Sequence, residues 1–220
     1  MISFEWNSIK FNIADIGGGR LEEEIARHSH SKNSYELHFI TGGIGTLITD
    51  DGEYSLKKGD FFVTGPNLYH SQKSDLTNPI EDIFIYIQKI EGRTDNIFAS
   101  EFLNKVFYIA EDFDYTSAQE MLSEYRQKRP DYKSAVAGLA MKILTQIVRC
   151  YIPDNVIDSV DSDNLCEKRF IIIENAFLYN KNITLTQLSE KIGVCPRQTQ
   201  RLLKQYYGKS FRQKKKEQKQ

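Results

Sequence analysis

The chain has 220 residues, 40% hydrophobic and 27% charged, which is enough apolar material for a packed core and excludes a fully disordered chain. No apolar run approaches the roughly 18 residues of a membrane-spanning helix, and Met1–Trp6 does not resemble a secretory leader, so a cytoplasmic protein without membrane contact is expected. The net charge of −1 hides an asymmetry: residues 167–220 hold 13 Lys and Arg against 4 Asp and Glu, leaving 16 basic and 26 acidic residues in 1–166. Opposite balances in two blocks imply two modules with different partners, the basic one carrying the footprint of a nucleic-acid-binding unit.

Residues 1 to about 90 read as β. Tyr35–Thr41, Gly42-Gly43 and Thr46–Thr49 have the pattern of a hairpin, and Asp50-Asp51-Gly52 marks a second tight turn. Phe61–Thr64 and Ile83–Gln88 are further strands, and many short strands without intervening helices point to a sandwich or small barrel. From about residue 98 the pattern is helical. The strongest helix, Ser134–Tyr151, places Val136, Ala140, Ile143, Ile147 and Tyr151 on one face, widened by Leu139 and Leu144. That face suits either a dimer contact or packing on its own domain. Pro153 ends the helix, and residues 154–163 read as a polar linker. Cys150, Cys166 and Cys195 form no CxxC pair and are read as reduced structural thiols.

The basic block is helical again. Glu167–Asn180 carries Phe170, Ile173, Ala176 and Phe177 on one face. Thr184 and Gln187 have capping-box spacing ahead of a helix with Leu185, Leu188 and Ile192 inward. Gly193 supplies a turn, Cys195-Pro196 opens a helix that stops at Gly208, and a linking helix begins at Ser210. Two short helices joined by a glycine turn have the form of a helix-turn-helix. On the second helix Arg197, Gln198, Gln200, Arg201 and Lys204 face outward while Leu202, Leu203 and Thr199 face inward. Arg pairs with a guanine edge and Gln with an adenine edge, so this face suits major-groove reading of double-stranded DNA.

All four histidines fall in the β segment. His28 and His30 share parity, Glu36 and His38 share parity on what should be the next strand, and His70 follows the Gly59–Tyr69 run. His28, His30, Glu36 and His70 have the chemistry of a mid-row metal site. The preferred reading is a metal-free polar pocket in which His28, His30, Glu36, His38 and His70 bind an organic ligand. Tyr86 and Trp6 are secondary candidates.

His28, His30, Glu36 and Gly43, followed by Gly59, Pro66 and His70, resemble the two cupin motifs, with a slightly long His30–Glu36 interval. Gly193, Pro196, Arg201, Lys204, Gly208, Lys209, Ser210 and Phe211 resemble the first helix-turn-helix of AraC-type transcription factors. The resemblance implies an α+β, two-domain protein: a cupin-like double-stranded β-helix barrel with a helical pair, then an all-α helix-turn-helix. Its parts would be a ligand-sensing barrel (1–95), a helical dimerisation region (96–152), a linker (153–166) and a DNA-binding unit (167–220). It further implies a non-enzymatic, homodimeric regulator that responds to a small-molecule effector such as a sugar, with no cofactor. Cys195 stands where the family keeps a Ser cap, and Thr199 where it keeps a larger apolar residue. The second helix-turn-helix of the family is expected to be lacking, which lowers DNA affinity. The rival expectations are a metal-dependent cupin enzyme and a truncated modulator that forms mixed dimers with a full-length regulator.

Overall fold

The computed structural model describes residues 1–152, 165–180 and 182–217; Pro153, most of the expected linker and the Cys166 side chain lie outside them. The chain forms two compact units, 1–158 and 159–220.

The first unit is β-rich, with two antiparallel sheets. Its strands are β1 (Ile2–Trp6), β2 (Ile9–Arg20), β3 (Ile25–His28), β4 (Ser34–Gly42), β5 (Ile44–Thr49), β6 (Gly52–Lys57), β7 (Phe61–Thr64), β8 (His70–Ser74), β9 (Glu81–Glu91) and β10 (Phe107–Ala110). Three helices follow or interrupt them: α1 (Ile97–Asn104), α2 (Thr116–Gln127) and α3 (Tyr132–Arg149). The pairs are antiparallel, in a six-stranded sheet of order β1-β2-β9-β4-β7-β10 and a four-stranded sheet of order β3-β8-β5-β6.

Strand parity divides the six-stranded sheet into two chemically different faces. Leu37, Phe39, Phe61, Val63, Ile83, Ile85 and Ile87 enter one core with Phe102, Met121, Val136, Ala140, Ile143 and Ile147 from the helices. Each such side chain, fully buried, contributes about 1.5–3 kcal/mol. The opposite parity carries Glu36, His38, Thr64, Phe84 and Tyr86 together with Ile40 and Phe62, which pack with Leu47, Leu56 and Ile80. The polar pocket therefore lies on the face away from the helices.

Three expectations are corrected. Tyr35–Thr41 and Thr46–Thr49 are not a hairpin: β4 pairs with β7 and β9, whereas β5 pairs with β6 and β8. Gly43 carries the chain between the sheets at φ +72, and a Cβ there would collide with the Pro79 carbonyl. The region after residue 98 is not wholly helical, because β10 returns to pair with β7. The strongest helix starts earlier and ends at Arg149, leaving Tyr151 beyond it. Its Val136, Ala140, Ile143 and Ile147 are buried within their own unit.

The second unit contains α4 (Leu165–Tyr179), α5 (Leu185–Ile192), α6 (Pro196–Tyr207) and α7 (Phe211–Glu217). Ile173, Ala176, Phe177, Ile183, Leu188, Ile192, Leu202 and Leu203 form its core. Phe170, expected on the buried face, is 39% exposed and rests against the Tyr206 and Tyr207 rings. The capping box forms: Thr184 Oγ1 accepts from the Gln187 amide, and Gln187 Oε1 accepts from the Thr184 amide. Gly193 ends α5 and Gly208 ends α6, both left-handed, at φ 65 and φ 64.

Candidate functional site

The inward parity of β4 brings Glu36 and His38 to the interior, while β3, its following bridge and β8 supply the other histidines. His28 pairs with His70 across β3 and β8, and His30 forms an isolated bridge with Pro66 beyond the end of β3. His30 is thus off the strand on which its parity with His28 was expected, yet their ring centroids lie 5.1 Å apart. The His28–His70 and His30–His70 separations are 4.3 and 5.2 Å. One ligand atom from each of His28, His30, Glu36 and His70 falls within 4.8 Å of all the others.

Glu36 and His38 form a second layer. Glu36 Oε2 accepts from His30 Nε2 at 2.8 Å and lies 3.2 Å from His38 Nε2, while His38 Nδ1 donates to Asp82 Oδ2 at 3.0 Å. With both ring nitrogens on carboxylates, His38 is an imidazolium. Burial alone would lower its pKa, but the bonds to Asp82 and Glu36 overcome that and raise it to about 9. Burial would raise the Glu36 carboxyl; the bonds from His30 and His38 prevail and hold it well below the usual carboxylate range.

His70 behaves in the opposite way. Burial lowers its pKa to about 4, against the opposing bond to the Leu68 carbonyl. Its Nδ1 donates to that carbonyl at 3.1 Å, leaving Nε2 as a buried lone pair without a partner among the described residues. His28 Nδ1 likewise donates to the Ala26 carbonyl at 2.8 Å. Imidazoles fixed through Nδ1 present Nε2 as an acceptor or metal ligand.

His28, Glu36, His38 and His70 line a cavity of about 440 Å³ with Gly18, Gly19, Arg20, Leu21, Ile25, Gln72, Asp82 and Phe84; His30, bonded to Glu36, is not part of that lining. The sequence reading missed Arg20, Gln72 and Asp82. Parity with His70 along β8 would have revealed Gln72, whereas Arg20 and Asp82 reach the cavity only through the long β2–β9 ladder. Tyr86 stands 5.0 Å from the His30 ring, on the pocket side. Trp6 does not reach the cavity: it is buried against Phe102, and its Nε1 donates to Thr145 Oγ1 of α3. Odd–even placement on β1 turns it toward the helices.

In the second unit, Cys195, Arg197, Gln198, Gln200, Arg201 and Lys204 line one shallow groove along α6. Thr199 is fully buried, 2.8 Å from Ser189 Oγ, as its inward placement required. Gln200 Oε1 accepts from the Phe211 amide at 3.2 Å, so this side chain also fixes the start of α7. The Cys195 side chain makes no capping bond. Cys150 and Cys195, read as reduced structural thiols, are both free and lie at exposed positions.

Residues 19–95, roughly a third of the chain, match the model of the AraC-like ligand-binding domain. No curated protein matches the chain. Among solved structures, a cupin protein from Bacteroides fragilis is 22% identical, covering 40% of this chain and 73% of its own, with a TM-score of 0.30. ToxT from Vibrio cholerae O395 is 13% identical over 94% of this chain and 78% of its own, with a TM-score of 0.39. Wild-type ToxT from V. cholerae strain SCE256, bound to an unsaturated fatty acid, is 13% identical over 97% and 79%, also with a TM-score of 0.39. Among the described residues no helix is long and apolar enough to cross a membrane.

Proposed function

We propose that this chain is a non-enzymatic, ligand-responsive transcription regulator: the cavity of its AraC-like ligand-binding domain takes a small effector, and α6 reads the major groove of DNA. The observation that carries the DNA half is the groove along α6, where two arginines, two glutamines and a lysine are gathered with Leu202 and Leu203 turned inward. Arg197 and Arg201, both exposed, are the guanine readers, and Lys204 holds phosphate. Gln200 keeps only its amide nitrogen for a base edge, since its oxygen is engaged by Phe211. The effector contacts His28, His30, Glu36, His38 and His70, and shifts DNA binding through its differential affinity for the two states. In this reading two copies of the chain act together, which raises the effective concentration of α6 on paired half-sites.

The test is binding of the 220-residue protein to its own upstream DNA at several salt concentrations, against random competitor and beside Arg201→Ala. Specific binding weakened by about 1–3 kcal/mol in the variant is expected. Binding that is steeply salt-dependent and indifferent to both sequence and substitution would reduce α6 to a phosphate contact.

A second reading is favoured by the donor set itself. Three imidazoles and a carboxylate, two of the imidazoles already oriented by backbone carbonyls, fit a divalent metal ion held by His28, His30, Glu36 and His70. Such an ion would supply Lewis-acid polarisation of a bound oxygen. Metal analysis of protein purified without chelators decides between the readings. The effector reading expects substoichiometric metal, unchanged by His28→Ala; stoichiometric metal lost in that variant would establish the ion.

A further inference from the structure

We propose that the cavity of the first unit takes a small zwitterionic amino acid, its ammonium group held by His28, Glu36 and His70 and its carboxylate by Arg20 and Gln72. The inference rests on the effector reading above and names the chemical class of the effector.

The inner end of the cavity is rich in acceptors. His28 and His70 spend their Nδ1 protons on Ala26 and Leu68 carbonyls, so both offer Nε2 as a lone pair. Glu36 receives His30 and His38 on Oε2 alone, and its Oε1 meets no protein donor among the described residues. Among the described residues His70 Nε2 is buried without a hydrogen-bond partner, a cost that a ligand donor would remove. The acceptors offered by His28, Glu36 and His70 match in number the three N–H donors of a primary ammonium group.

Donors lie elsewhere on the same walls. Gln72 is 1% exposed, and its Nε2 has no hydrogen-bond partner among the described residues. It lies two residues from His70 on β8, and so faces the same interior. Arg20 lines the cavity and lies 3.7 Å from Glu22. A ligand that carries both an ammonium and a carboxylate complements the acceptors of His28, Glu36 and His70 together with the donors of Arg20 and Gln72. Leu21, Ile25 and Phe84 leave apolar wall for a short side chain within the roughly 440 Å³.

The experiment uses the full chain stripped of metal. Each standard amino acid is screened by thermal shift, and the best is titrated calorimetrically beside its decarboxylated amine and its deaminated acid. The amino acid should bind at least about tenfold more tightly than either analogue. Arg20→Gln, at an exposed position that folding tolerates, should weaken the amino acid about tenfold while changing the amine by less than about twofold. Glu36→Gln should weaken amino acid and amine alike. The proposal is overturned if no amino acid binds, if the single-charge analogues match it, or if only a pentose or a divalent metal binds through these residues. DNA binding separates the two layers of inference. A pentose that changes DNA affinity keeps the regulator and removes this ligand class. An amino acid that binds without altering DNA affinity keeps the class and removes the regulatory reading.

Discussion

His38 is 3% exposed and lies between two carboxylates, a position that is stable only because both of its ring nitrogens are engaged. Removing one member of such a buried charge set leaves the others without compensation. His38→Leu should therefore cost about 3–5 kcal/mol in urea unfolding at neutral pH, well above an ordinary large-to-large core exchange. A loss below about 1 kcal/mol would show that solvent reaches Glu36 and Asp82 and that the imidazolium is not needed. Parity alone placed His38 beside Glu36. Its second partner, Asp82, lies 44 residues away and had no local signal.

At the scale of elements, the decisive position is Gly43. A Gly-Gly pair between two apolar runs reads as a hairpin turn, because local pattern describes only how sharply a chain bends. Here the bend takes the chain out of one sheet and into the other, with the Pro79–Ile80 backbone pressed against Gly43. Gly43→Ala places a Cβ into that backbone at a positive φ and should destabilise the first unit by about 2–4 kcal/mol, read from its thermal transition. An unchanged transition would mean that the crossing relaxes freely. Where neighbours in sequence supply all the partners, local reading succeeded: the Asp50-Asp51 turn joins β5 to β6, and the Thr184–Gln187 box caps α5. The strand β10 went unread because four residues between two helical stretches carry too little periodicity to register.

Across the molecule, the titrating histidines predict a stability maximum for the first unit. His38 has a folded pKa raised from 6.5 to about 9, so its contribution is full below 6.5 and is lost as pH rises through 9. His70 is lowered from 6.5 to about 4, so stability falls as pH drops through that interval, and the depressed Glu36 carboxyl adds to the loss below its ordinary 4.5. Metal-free protein should thus be most stable near pH 6.5, with a fall on the order of a few kcal/mol by pH 9. Denaturation at fixed ionic strength across this range, repeated with His38→Leu, checks the sign: the alkaline fall should vanish in the variant.

The sequence by itself determined the local pattern: which neighbouring side chains share a face and where helices begin and end. Alternation put Glu36 and His38 together, the charge asymmetry separated a basic helical block from an acidic β block, and glycine, proline and capping residues marked the ends of α5 and α6. These are short-range properties, set by side-chain period and backbone conformation. Only the tertiary structure decided what the cavity is made of. Antiparallel pairing of β2 with β9 and of β3 with β8 delivered Arg20, Asp82 and Gln72 to the histidines, and the helices claimed the opposite face and Trp6 with it. Register between distant strands depends on which apolar faces bury one another across the whole sheet, a sum over many side chains that no local window contains.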